Sequence, residues 1–393
     1  MKLSYHYHIP ALITNNTIKT SAQQGLFLDS LAIHFDEIIC YLYIPRKDEL
    51  ELMDYNLEHD NIHIVNIGPH RPIYLRNFFP NKRLTEIYNA DIVLVRGPSP
   101  ILPSLIRKAR QIPTVALLVG DYTKGIDELP QPYWRILLIK LWLTRYKIFQ
   151  DRVLQKSLLL VNSQWLLNEY KSKVNNIRMV ATTTISDNDF YYRDDTCLNQ
   201  SISILYTGRF DRQKGIEDIA NAIIVLIKKG YDLKFSVAGF GDSKDKVIAN
   251  VTNLFKRIEK LSSFSNHGYK KLGPELYELY RNSDIFITAS RLHEGFPRTI
   301  REAFSQSLPV ITTNIGGISL ILKDREHALL CEPKKPELIA EKIKELIENQ
   351  SLRKNIIKNG HNFAKDYTLE KTGKEIANHI KWWGNNKESQ KLL

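Results

Sequence analysis

Cysteine, long apolar runs and low-complexity stretches are what this chain has least of. Its three cysteines, Cys40, Cys197 and Cys331, lie far apart and form no CxxC or Cys/His ligand spacing. That excludes a disulfide framework and a structural zinc site, and suits a reducing compartment. No apolar run approaches the ~18 residues needed to span a bilayer. The opening MKLSYHYHIPALITNN has one lysine, then histidines and a proline, where a signal peptide has an apolar core. The expectation is a cytoplasmic protein, with peripheral attachment to the inner face of the cell membrane as the variant discussed below. Glycine (18) and proline (16) are sparse, so long flexible linkers are not expected. A composition of 43% hydrophobic and 25% charged residues excludes a disordered chain and a coiled-coil rod. What is abundant is positive charge, 55 Lys and Arg against 43 Asp and Glu for a net +12. Such a balance favours nucleic acid, anionic lipid or phosphorylated substrates without choosing among them.

At about 150 residues per domain, 393 residues make two to three domains. The first half alternates strand and helix signals. KLSYHYHI (2–9), EIICYLYI (37–44), NIHIVNIG (61–68), DIVLVRG (91–97), TVALLVG (114–120) and SLLLVNS (157–163) are β-rich runs, with helices at 22–34 and 131–156 between them. These runs are nearly continuously apolar, as strands of a parallel sheet covered on both faces are. A polar, turn-rich segment at 182–201 marks the domain junction. Beyond it the rhythm repeats, with strands at 202–208, 234–239, 284–290, 310–314 and 328–332. Helices are expected near 214–229, 243–260, 274–282, 298–307, 336–349 and 351–366, with a last one near 368–383. The expected organisation is α/β, two Rossmann-like domains facing a cleft: a domain over 1–185, a linker over 186–201 and a second domain over 202–366. The 367–393 helix is expected to pack back on the first domain.

Two constellations follow strands and open helices. In Gly208-Arg209-Phe210-Asp211-Arg212-Gln213-Lys214-Gly215, Gly208 permits a tight turn and Arg209 and Lys214 offer two cations. The following helix adds amide donors and its positive dipole end, a set that suits a diphosphate. The bland alternative makes both cations solvated surface charges. In Glu294-Gly295-Phe296-Pro297-Arg298-Thr299-Ile300-Arg301-Glu302, Pro297 suits the first turn of a helix and Gly295 opens the backbone to a ligand. Glu294 before the helix and Glu302 within it can bracket one ligand, or Glu302 can pair with Arg298 at i,i+4 on a solvated face. Ile315-Gly316-Gly317-Ile318 and Gly239-Phe240-Gly241-Asp242 are glycine turns after strands and are weaker signals.

GRFDRQKG, VAGFGD, LGPELYELYRNSDIFITAS and HEGFPRTIREAFSQSLPVITTNIGGI, in that order over about 202–350, resemble the family-4 glycosyltransferases, of group-1 type. The resemblance implies the GT-B fold, transfer from a nucleotide sugar with retention of configuration, and bacterial surface polysaccharides or lipid-linked glycans as products. The family's two glutamates separated by seven residues match Glu294 and Glu302, and its Arg…Lys-Gly phosphate motif matches Arg209 and Lys214. By that resemblance Gly208, Arg209 and Lys214 hold the donor diphosphate, Glu294 the donor sugar and Glu302 the ribose. Backbone amides around Gly295, Phe296, Pro297 and Arg298 hold phosphate and sugar, and Glu294, Arg209 and Lys214 carry the catalysis. No metal and no cofactor are expected; the co-substrate is a nucleotide-diphosphate sugar, a UDP-sugar ahead of a GDP-sugar. The acceptor is a glycan or polyprenyl-linked molecule. The first domain is less similar. RGPSPILPSLIRKARQIPTVALLVGDY (96–122) resembles polysaccharide-building members, with Asp121 where relatives carry a His that touches the donor sugar. TSAQQG (20–25) stands where a glycine pair is usual.

Two rivals share these motifs: a GT-B nucleotide-sugar epimerase, and a non-catalytic partner subunit. Asp187-Asn188-Asp189 spells the D-x-D of metal-dependent GT-A enzymes but lies in the expected linker. His293-Glu294 cannot begin an HExxH zinc site, because Pro297 takes the second His position. His6 and His8 alternate on a strand and are read as packed. Six basic residues and interleaved aromatics in 134–156, against Asp151 alone, suit a helix at an anionic membrane surface. The competing view is a core helix with a solvated basic edge. No nucleic-acid-binding module is present, so a nucleic-acid partner is not expected.

Overall fold

The computed structural model describes residues 1–14, 17–70, 82–109, 111–120, 131–241, 244–292, 295–316 and 318–386. The chain divides into two compact units, Met1–Thr184 together with the C-terminal helix from Leu369, and Ile185–Thr368. The first unit begins with β1 (Lys2–His6), β2 (Ala11–Ile13), β3 (Ile18–Thr20), α1 (Ala22–Ala32), β4 (Glu37–Ile44), β5 (Tyr55–Asn56) and β6 (Ile62–Pro69). It continues with β7 (Ile92–Gly97), α2 (Leu102–Lys108), β8 (Thr114–Leu118), α3 (Tyr133–Leu154), β9 (Leu158–Val161), α4 (Gln164–Tyr170) and β10 (Ile177–Met179). The second unit contains β11 (Ile202–Thr207), α5 (Ile216–Lys228), β12 (Leu233–Ala238), α6 (Lys244–Lys256), β13 (Phe264–Asn266) and α7 (Pro274–Arg281). It ends with β14 (Ile285–Thr288), α8 (Arg298–Ser305), β15 (Val310–Thr313), β16 (Leu329–Cys331), α9 (Pro336–Glu348) and α10 (Gln350–Lys365). The last helix, α11 (Leu369–Asn385), belongs to the first unit.

Each unit is built on a wholly parallel sheet, in the order β10-β9-β8-β7-β1-β4-β6 in the first and β13-β12-β11-β14-β15-β16 in the second. Along β11, Ile204 and Tyr206 pack into one apolar cluster and Leu205 into another, one on each face of the sheet. The same alternation places Leu94 and Leu117 on one face of the first sheet, and Val95 and Ala116 on the other. With helices on both faces no strand position needs to be polar, which is why the strands read as unbroken apolar runs. The β2–β3 hairpin with β5, an antiparallel addition, and the short edge strands β10 and β13 have no signal in the sequence reading. Strands of two or three residues are too short to show a period.

Two segments at the unit boundaries are held by specific contacts. A Cβ on Gly373 of α11 would stand 2.6 Å from the Ser30 carbonyl oxygen, so α11 and α1 cross with no space for a side chain. Trp383, fully buried, fills the core beneath this crossing. The 186–201 stretch, expected as a linker, is folded onto the second unit. The Tyr191 amide donates to the Ser305 carbonyl at 2.9 Å, and the Cys197 amide to Asp284 Oδ1 at 2.9 Å. Arg353, 3% exposed, clasps Asp195 with Nε to Oδ1 at 2.6 Å and a second bond at 3.1 Å. Polar turn residues signal irregular backbone; whether their polar groups face water or a neighbouring surface is a tertiary matter.

Burial pushes the Asp195 carboxyl up, but hydrogen bonds from Arg353, Gln350 and the Thr196 amide outweigh it and hold it below its usual range. A carboxyl lowered in the folded state stabilises fully above its unfolded pKa of ~3.9, and that contribution is lost as pH falls through the folded value. We expect Arg353→Met to cost about 3–5 kcal/mol at pH 7, since it strands a buried charge. The difference from wild type should shrink below pH ~4, where Asp195 is protonated in the variant. Thermal melts across pH check both; equal midpoints at pH 7 would remove the ion pair from the stability account.

Candidate functional site

The second sheet changes direction at its centre. From β11 the chain proceeds to β12 and β13 on one side, then re-enters at β14 on the other. β11 and β14 are parallel neighbours, paired Ile204 to Ile285 and Leu205 to Phe286. In open α/β sheets such a switch point leaves a crevice beyond the carboxyl ends of the two strands. The two constellations singled out in the sequence are the loops that follow these two strands.

The first loop is shaped by glycines. Gly208, at φ 143°, donates its amide to the Ala238 carbonyl at 3.0 Å. Tyr206 Oη donates to the Arg209 carbonyl at 2.8 Å and fixes the turn from below. Phe210 is fully buried. Asp211 caps the short turn Arg212–Lys214 by accepting from the Gln213 amide at 2.9 Å. Gly215 has φ 65°, and a Cβ there would sit 2.1 Å from the Ala289 carbonyl oxygen. Only glycine permits both this left-handed backbone and this approach to the end of β14. The Arg209 side chain is 66% exposed, 3.6 Å from Asp211. Lys214 is half-buried at the end of the turn, and α5 starts two residues later, at Ile216.

The second loop is tied to the first by Arg291. Its amide donates to the Gln213 carbonyl at 2.7 Å. Its guanidinium donates to both oxygens of Asp218, at 2.7 and 2.6 Å, and Asp218 is buried in the first turn of α5. A bidentate pair of this kind fixes orientation as well as distance. Neither residue stood out in the sequence, where they lie 73 positions apart; the only signal was a charged residue directly after a strand. Further along, the Phe296 side chain is buried under the Arg301 guanidinium, 4.2 Å from its ring centre, with Tyr367 at 4.7 Å from the same cation. Burial pushes Arg301 down to about 10. Phe296 can therefore offer a ligand its backbone but not its ring. Pro297 is the N-cap of α8, at φ −63° and ψ 122°, one position earlier than the first helical turn expected from sequence.

Glu302 lies on α8 and is 5% exposed, which removes the reading of a solvated helix face. It accepts from Tyr280 Oη at 2.9 Å, and Tyr280 Oη lies 2.6 Å from Thr207 Oγ1. Burial and then the Glu302 charge push the Tyr280 hydroxyl well above its usual range, so it keeps its proton. A phenol has one proton to give. With that O–H directed at Glu302, Thr207 donates to Tyr280. The buried sequence Thr207–Tyr280–Glu302 thus links the last residue of β11 to the carboxylate of the second constellation. Glu294 and Asp121 lie outside the described residues.

Residues 194–363 match the family model described as glycosyl transferases group 1. That stretch is a group 1 glycosyltransferase domain. An uncharacterized glycosyltransferase of Methanocaldococcus jannaschii is 25% identical over 362 residues, 88% of this chain and 92% of that protein. The capsular polysaccharide biosynthesis glycosyltransferase CapM of Staphylococcus aureus is 31% identical over 168 residues, and that match covers 43% of this chain and 42% of CapM. Among solved structures, HepE of Anabaena in complex with UDP superposes with a TM-score of 0.73 at 15% identity, over 97% of this chain and 100% of that one. WaaG, a glycosyltransferase involved in lipopolysaccharide biosynthesis, does so at 0.65 and 13% identity, over 96% and 99%. At such identities the likeness establishes the fold, which is GT-B with two parallel sheets.

The second unit also contains Asp187-Asn188-Asp189, ahead of the matched residues, within a short turn where the Ser186 amide and hydroxyl both donate to Asp189 Oδ2, at 2.6 and 2.9 Å. Asp189 thus serves as a local cap. In the first unit, β1 and β7 are the strands flanking its own switch point. Arg96 of β7 is buried against the rings of Tyr7 and Phe27, at 4.9 and 4.5 Å. Gln24 of α1 and Ser99 of the loop after β7 are also buried, and neither side-chain polar group has a hydrogen-bond partner among the described residues. Sequence reading missed all three, because nothing in QQGLF or VRGPS says that the polar atoms are buried.

Two outcomes follow for the group 1 domain. Gly215→Ala forces a left-handed alanine, about 1–2 kcal/mol, and a collision with the Ala289 carbonyl. Urea unfolding should show a loss larger than that figure. Tyr280→Phe leaves the buried Glu302 short of a donor and should destabilise by about 1–3 kcal/mol, whereas a change within error would show that water replaces the phenol.

Proposed function

We propose that the chain is a retaining, metal-independent glycosyltransferase that moves a hexosyl group from a nucleotide-diphosphate sugar, a UDP-sugar ahead of a GDP-sugar, to a glycan or polyprenyl-linked acceptor in surface polysaccharide synthesis. The observation that carries this reading is the clasp between the loops after β11 and β14. It ties the loop that carries Arg209 and Lys214 to the loop that leads toward α8, at the switch point of the second sheet. The names of CapM and WaaG, and the UDP bound in HepE, support the direction of the reading. Retention rests on the resemblance of the motif series to family-4 enzymes.

In this reading Arg209 and Lys214 hold the donor diphosphate, with Gly208 allowing the backbone to approach it. When the bond between the anomeric carbon and the diphosphate breaks, negative charge grows on the departing oxygen. Fixed cations oppose that growth most strongly in the transition state, which makes them the largest catalytic contribution. Glu302, oriented by Tyr280, accepts hydrogen bonds from the ribose diol, and Glu294 contacts the donor sugar. The amides at Gly295, Phe296 and Arg298 add donors at the head of α8; Pro297 has none. The buried polar groups of Gln24, Arg96 and Ser99 in the first unit would be satisfied by a hydroxyl-rich or phosphorylated acceptor.

Arg209→Ala and Lys214→Ala should each lower transfer by ~100-fold, as removal of one charge-stabilising group does, with unfolding curves close to wild type. A thermal-shift screen with UDP-, GDP- and ADP-sugars identifies the base through ligand-dependent stabilisation. Excess EDTA should leave transfer intact, because the cations are built into the loop. Wild-type rates in either alanine variant would exclude the diphosphate assignment, and loss of activity to EDTA restored by Mg²⁺ would reinstate a metal.

A further inference from the structure

Helix α3 is apolar on two opposite faces. Its inner face carries buried Ile136, Leu143, Gln150 and Leu154. It is pinned by Tyr146 Oη donating to the Ser99 carbonyl at 2.7 Å and by Gln150 Nε2 donating to Tyr170 Oη at 2.7 Å. Its outer face carries Trp134, Leu138 and Leu141, exposed by 63, 58 and 53%, flanked by Leu137, Trp142 and Ile148, also exposed. The spacing 134, 138, 141, 145, 148, 152 follows one line along a helix. Isolated apolar side chains on a surface are ordinary, but six large ones along one helix face form a contiguous patch of the kind that marks an interaction site.

The charges say what kind of partner fits. Arg145 and Arg152 lie on the same outer line and are exposed, as are Arg135 and Lys156. Lys147, counted from sequence with the basic edge, belongs to the inner face: it donates to Tyr170 Oη and lies 3.6 Å from Glu169. Asp151, the helix's one acid, is 3.3 Å from Lys173 and 3.9 Å from Lys147, so its charge is met on the inner side. The outer face therefore presents hydrocarbon and positive charge together. A second copy of the chain, paired through the same face, would set these arginines against one another. No helix among the described residues is long and apolar enough to cross a membrane, and α3 with 22 residues is ~33 Å long at ~1.5 Å per residue. We propose that the outer face of α3 lies in the plane of an anionic lipid bilayer, with Trp134, Leu138 and Leu141 in the headgroup–acyl boundary and Arg145 and Arg152 against lipid phosphates. This surface would bring a lipid-linked acceptor and the first unit to the same interface. The inference itself does not depend on donor chemistry.

The test is co-sedimentation of the full chain, without nucleotide sugar, with phosphatidylglycerol vesicles and with phosphatidylcholine vesicles. Binding should be strong to the former, weak to the latter and reduced by high salt. The triple change Trp134→Gln, Leu138→Gln, Leu141→Gln should weaken binding by on the order of 100-fold or more, since each apolar side chain withdrawn from the boundary is worth roughly tenfold. Arg145→Gln with Arg152→Gln should weaken it by about tenfold or more, at roughly fivefold per charge. All five side chains are exposed, so circular dichroism should be unchanged. Absence of binding to phosphatidylglycerol vesicles, or binding that neither variant weakens, overturns the proposal. Concentration-dependent dimers without vesicles, lost in the triple variant, would assign the face to a second copy instead. Because the readout uses no donor, a failed transferase assay leaves this result standing, and the reverse holds too.

Discussion

The candidate site depends on a contact between two loops that follow neighbouring strands: Gly215 set against the Ala289 carbonyl, and Arg291 clasping Asp218. Parallel strands end at the same edge of the sheet, so their following loops emerge side by side, but nothing in that fact fixes their spacing. Here the spacing is set by a hard steric limit on one side and a bidentate ion pair on the other. A glycine with a positive φ holds the first loop close, and a guanidinium reaching from the second prevents the pair from sliding. The exposed cation Arg209 and the half-buried Lys214 are thereby carried on a turn whose own backbone is fully specified.

The same economy appears deeper in the second unit. Glu302 is a carboxylate in a buried position, a costly placement unless it is hydrogen-bonded. Tyr280 supplies the bond, and its hydroxyl retains its proton because the site that buries it also contains the carboxylate. Arg301 on the same helix is buried too, and is accommodated between the Phe296 and Tyr367 rings. Helix α8 thus orients one face by polar groups and the other by aromatic packing.

Much of this was legible before any coordinates. The unbroken apolar runs read as parallel strands because both sheet faces are covered, and the strand ends agree within a residue or two except for β1, which stops at His6 rather than Ile9. The motif order around Gly208–Gly215 and Gly295–Glu302 pointed to the loops that the structure places together. What was illegible had a common cause: it depended on pairings far apart in sequence. The 186–201 segment reads as linker because its residues are polar, yet Asp195 spends its charge on Arg353, 158 positions away. Lys147 reads as one more surface cation, yet Tyr170 and Glu169 hold it inward.

The sequence by itself determined the local terms: strand and helix period, turns that only glycine can make, and the net positive charge. Tertiary structure decided which strands are neighbours, where each sheet reverses, which charges are paired and which apolar side chains remain at the surface. A helical period of apolar residues states that a face exists; it cannot state how many faces the rest of the fold will cover. For α3 the fold covers one of two: Ile136, Leu143 and Leu154 are buried on the inner side, and Trp134, Leu138 and Leu141 face outward.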